Sequence, residues 1–137
     1  MRTSLLMSAA ICAFTACTVD ARSPQLSASE GDFVHQIFAA LGLVTLCPGY
    51  VIVENGAVDL ASRLGVDSNA LSDAIEEAVK FHQGTSYDPS KYLPEVGREG
   101  MAALTRVSKI IGANPRIACE ALGNAYVASG LLARRQK

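Results

Sequence analysis

The side chains best suited to covalent or metal chemistry here are four cysteines (Cys12, Cys17, Cys47 and Cys119) and two histidines (His35 and His82). Cys47 sits in "VTLCPGY", where it could be a nucleophile, a metal ligand, half of a redox pair or half of a structural bridge. No cysteine stands three residues on from it, so the thioredoxin-type motif is missing. Neither the Cys-x-x-Cys-His of covalent haem nor a paired-cysteine zinc spacing occurs. A nucleophilic Cys47 needs a base, and only His35 and His82 are available, neither inside a recognisable catalytic signature.

Carboxylates offer no clearer chemistry. Glu76 and Glu77 are adjacent and diverge on a helix, so both are expected to be solvated. Glu95 and Glu99 flank Arg98 and read as an exposed charged face. "VDSNALSD" breaks the calcium-loop pattern, because Ala70 and Leu71 fall where oxygen-bearing or small polar side chains belong. G-x-S-x-G, H-E-x-x-H and a phosphate-cradling glycine loop are all missing. No catalytic residue, metal ligand or cofactor is nominated, and the protein is expected not to be an enzyme. The stretch that looks suited to contact is "FHQGTSYDPSKY", residues 81–92. It gathers His82, Gln83, Tyr87, Asp88, Lys91 and Tyr92, the aromatic and polar mixture typical of binding surfaces.

The N-terminus sets the compartment in which the cysteines must be read. After Arg2, an uncharged and mostly apolar run extends to about Ala16, which suits a secretory signal peptide and is short for a membrane span. "VDA" before position 22 fits signal-peptidase cleavage, giving a signal peptide at 1–21, a polar flexible leader at 22–31 and one domain at 32–137. "FTAC" resembles a lipobox, the alternative in which Cys17 is lipidated and the protein is anchored to a membrane. A periplasmic or secreted protein is the leading expectation. The processed domain then keeps two cysteines, and in an oxidising compartment they are expected to form a Cys47–Cys119 disulfide. The formal net charge of −1 gives no broad attraction for nucleic acid, and the terminal "ARRQK" reads as favourable charge at a helix C-terminus.

The elements that must position these residues read as helices. Phe33, Ile37, Leu41 and Val44 recur at helical spacing, with Val34 and Phe38 beside them; Ser29 or Asp32 is the expected cap, and Pro48-Gly49 the stop. This is the expected central helix. Tyr50 to Val53 is β-branched and aromatic, but no second strand is evident, so a turn is expected there, with an Asn55-Gly56 hairpin as the alternative. Short helices follow at 57–64, ended by Gly65, and from Asp67 or Ser68 to Gly84, where Leu71, Ala74, Ile75 and Ala78 form the apolar stripe. Pro94 opens another helix, and Asn114-Pro115 opens the last.

The expectation is therefore an all-α domain, a bundle of about five helices pinned by one disulfide. In outline this architecture is similar to periplasmic acid-stress chaperones and to bacterial immunity proteins of secreted amidases. That resemblance implies a non-enzymatic module that binds another envelope or secreted protein. An immunity-like role implies a tight complex with a cell-wall hydrolase centred on residues 81–92, and a chaperone role implies loosening at low pH. The alternative function is a small-ligand carrier whose alanine-rich helices enclose an apolar cavity. Contact with a membrane is expected only through a lipidated Cys17.

Overall fold

The computed structural model describes residues 25–136. The expectations for a signal peptide at 1–21 and for Cys17 lie outside the described residues. Five helices and two short strands follow in the order α1 (Ala28–Leu46), β1 (Tyr50–Ile52), α2 (Gly56–Leu64), α3 (Ser68–His82), α4 (Pro94–Ala113), α5 (Pro115–Ala128) and β2 (Leu132–Arg134).

Helix α1 is the central one. It begins at Ala28, inside the stretch read as leader, because Ser27 closes a capping box. Its hydroxyl accepts from the Glu30 N–H while Glu30 accepts from the Ser27 N–H at 2.7 Å. Neither Ser29 nor Asp32 is the cap. Phe33, Val34, Phe38, Ala39, Ala40, Gly42 and Leu43 are all buried, so α1 is wrapped on several sides rather than along one stripe. Helix α4 packs along it with Val96, Ala103, Val107 and Ile111, α2 and α5 cover other flanks, and α3 packs chiefly on α4. Asp67 caps α3 through the N–H groups of Asn69 and Ala70, and Gly65 ends α2 at φ 67°. Among the described residues no helix is long and apolar enough to cross a membrane.

The fold is more than helical. Tyr50–Ile52 forms a strand, and its antiparallel partner is Leu132–Arg134 at the far end of the chain, with Val51 opposite Ala133. Asn55-Gly56 starts α2 and turns no hairpin. The partner strand lies where a helical C-terminus was expected: α5 stops at Ala128, Gly130 takes φ 83°, and the Arg134 guanidinium donates to the side-chain Oδ1 of Asn124 at 2.6 Å. Local patterning misses this ribbon because each strand has three residues and its partner is remote in sequence.

Two fasteners hold this end of the molecule. Cys47, the C-cap of α1, is bonded to Cys119 on α5 with a Cα–Cα distance of 5.6 Å. Beside it the buried Tyr50 ring lies flat against Gly123 of α5, where any Cβ would fall inside the ring. A glycine is required there by close approach alone.

Candidate functional site

Residues 81–92 leave the end of α3 and fold back along it. Three α3 residues one helical turn apart receive the loop, Asp73 and Glu77 through their carboxylates and Lys80 through its backbone carbonyl. Glu77 accepts the backbone N–H of Asp88 at 2.5 Å through one oxygen and the Lys80 ammonium at 2.8 Å through the other. Asp73 pairs with Lys91 at 3.1 Å, and the Thr85 hydroxyl donates to the Lys80 carbonyl. Within the loop, Asp88 turns the chain by accepting the N–H and hydroxyl of Ser90 at 2.9 and 2.6 Å.

Glu77 is only 5% exposed, against the expectation that it would be solvated. Helical periodicity places it off the apolar stripe; it is buried because the following loop covers that flank of α3. Its hydrogen bond to Lys80, and then that from the Asp88 N–H, hold its carboxyl below the usual carboxylate value, outweighing the opposing effect of desolvation. Lys80 is raised in turn by Glu76 and Glu77. Asp88 is lowered by the Ser90 hydroxyl and N–H, and Lys91 is raised by Asp73. Lys91 is thus paired with an α3 carboxylate, and Asp88 is held by its own loop's Ser90.

That neutralised frame presents aromatic rings. Phe81, Tyr87 and Tyr92 pack mutually with centroids 5.2 to 5.5 Å apart. Tyr87 and Tyr92 are half-buried, while Phe81 is 46% exposed. The Tyr92 hydroxyl seats against Gly97 of α4, a position that a Cβ would occupy. His82 continues the cluster inward, edge-on to Phe38 at 5.9 Å, and its Nε2 meets the Gly97 carbonyl at 3.1 Å.

Of the loop residues singled out in the sequence, Tyr87 and Tyr92 come together in the aromatic face. Asp88 and Lys91 hold the loop's shape, His82 turns toward the core and Gln83 ends α3. Sequence reasoning missed Phe81 as the exposed ring at the centre and Glu77 as the anchor. An aromatic residue off the α3 stripe was the available signal for the first; the second had none, since it depends on where the loop lies.

The other sequence candidates are apart from this face. His35 pairs with Glu99 across α1 and α4 at 2.9 Å, and Glu95 is largely covered while bonded to Arg98, so that flank is less exposed than expected. Among the described residues no group of three or more His, Cys, Asp or Glu side chains is placed to hold a metal ion. Compared with known proteins, the chain matches no family model, and no curated protein or solved structure shows significant similarity to it.

Proposed function

We propose that this is a small exported protein of the bacterial envelope that binds another envelope or secreted protein through the aromatic face around Phe81, without catalysing a reaction. The observation that supports this most directly is the exposure of Phe81 at the centre of a ring cluster whose loop is fastened at Asp73, Glu77 and Lys80. An exposed aromatic on a rigid support loses little freedom on binding, which is the property of interface anchors. The neighbouring charges are paired along α3 and between α3 and the loop, so the fitting partner surface is apolar and uncharged at its centre. Pre-organisation favours the inhibitor or immunity type of binding over a chaperone that must loosen first.

Export rests on the signal-like run before position 22 and on the two remaining cysteines being joined. N-terminal sequencing of the protein from an envelope fraction tests it, with a start at Arg22 expected and an unprocessed Met1 contradicting it. A lipid-modified start at Cys17 identifies the anchored form.

The binding reading is tested by capture from envelope extract on immobilised 22–137. A specific partner is expected to be lost with Phe81→Ser and kept with Ile117→Ser, an exposed apolar position on α5. Equal retention by both variants rejects this face. Size measured at pH 2 and pH 7 separates the two types, with loosening at pH 2 favouring the chaperone.

A further inference from the structure

A second feature lies behind the aromatic face. Between α1, α3 and α4 the structure holds a cleft of about 340 Å³, within the range of small-molecule sites. Phe38, Leu41, Leu46, Val79 and Leu104 supply its apolar walls. Its polar groups are Thr45, His82, Gln83 and Ser108, and none of the residues bordering it is Asp, Glu, Lys or Arg. A charged ligand would lose its hydration there with no counter-charge to replace it.

One of those polar groups is incomplete. The Gly97 carbonyl can only accept, so the Nε2 of His82 must be the donor in their 3.1 Å bond, and the neutral ring is left with a lone pair on Nδ1. Nδ1 is buried, and among the described residues it has no hydrogen-bond partner. Buried acceptors of this kind are ordinarily satisfied. Thr45 already donates its hydroxyl to the Leu41 carbonyl and offers only lone pairs. Nδ1 itself is enclosed by the protein, so the acceptor that the cleft offers to a bound group is the exposed Thr45 oxygen.

We infer that the cleft between α1, α3 and α4 is a binding site for an uncharged, largely apolar molecule carrying a hydroxyl or N–H group, which donates to the exposed Thr45 oxygen. This site is distinct from the protein-binding face: Phe81, Tyr87 and Tyr92 do not line it, and only His82 and Gln83 of that stretch border it.

The test uses N-phenylnaphthylamine, an uncharged arylamine with one N–H, titrated by fluorescence into protein 22–137. Saturable one-to-one binding is expected. Ser108 and Thr45 are exposed at the cleft, so a larger side chain at either can fill it without entering the core. Ser108→Phe is expected to weaken binding at least tenfold with an unchanged melting temperature, and Thr45→Phe serves if that variant does not fold. Phe81→Ser is expected to leave binding intact. Decanol should displace the probe at pH 7, and decanoate of the same length should do so at least tenfold less well. No saturable signal, binding unaffected by the filling variant, loss with Phe81→Ser, or displacement by decanoate equal to that by decanol each overturns the inference.

Discussion

The N–H of Asp88 donates to Oε2 of Glu77 at 2.5 Å, so a carboxylate in the body of α3 holds the loop that leaves its end. The same carboxylate binds Lys80, and helix, loop and ammonium are joined at one buried point.

This junction makes stability sensitive to acid. The folded-state values of Glu77 and Asp88 lie below their ordinary 4.5 and 3.8, so the stabilisation they supply is fully present above those values. It is lost as pH falls through the lowered ones. Urea unfolding as a function of pH should be level above pH 5 and decline below about 4.5. In Glu77→Gln the midpoint at pH 7 should be lower and the acid decline shallower. An acid limb identical to the parent's would show that Glu77 is not its source.

Loss of the Cys47–Cys119 bond should cost about 4 kcal/mol from the freed loop alone; the sequence separation it closes is 72 residues. The double variant Cys47→Ala/Cys119→Ala, and the parent in reductant, should both melt well below the oxidised protein. A melting temperature indifferent to reductant would contradict a stabilising bridge.

Gly97→Ala should displace Tyr92 and destabilise the protein by about 1–3 kcal/mol, the usual cost of overpacking. Because the nearest atom to the added methyl is the Tyr92 hydroxyl, Tyr92→Phe in the same chain should recover part of that loss. A double-mutant cycle in urea measures the coupling, and strictly additive effects would place Tyr92 elsewhere.

Near neighbours on α1 should differ sharply. Phe38 is 1% exposed, and Phe38→Ala should cost about 3–5 kcal/mol. His35 makes a partly exposed pair with Glu99, and His35→Ala should cost no more than about 1 kcal/mol. Denaturant midpoints of the two variants check the contrast.

What the sequence disclosed follows from how local each feature is. Helices α1 to α5 were legible because apolar spacing, Gly65, Pro94 and Asn114-Pro115 act within a few residues of where they stand. The bridge was legible because counting leaves Cys47 a single partner. The ribbon was hidden because Tyr50–Ile52 finds Leu132–Arg134 only after the four helices α2 to α5 have brought the chain back. Glu77 was hidden for a related reason: its burial depends on the path of a loop that contains no periodic pattern. The loop itself stood out by composition, yet composition could not tell which of its residues face outward. Asp88 and Lys91 proved to be ties that shape the loop while remaining exposed, and the ring left bare was Phe81.

The strap formed by β1 and β2 also fixes an order of events. Synthesis runs from the N-terminus, so Tyr50–Ile52 emerges before Leu132–Arg134 and must wait until α2 to α5 have been made. Contacts so distant in sequence form late and slowly. The nascent chain therefore cannot close this strap before α5 is complete, so its helices are made while the two strands are still apart. Ending the chain before Leu132 would leave it without its clasp.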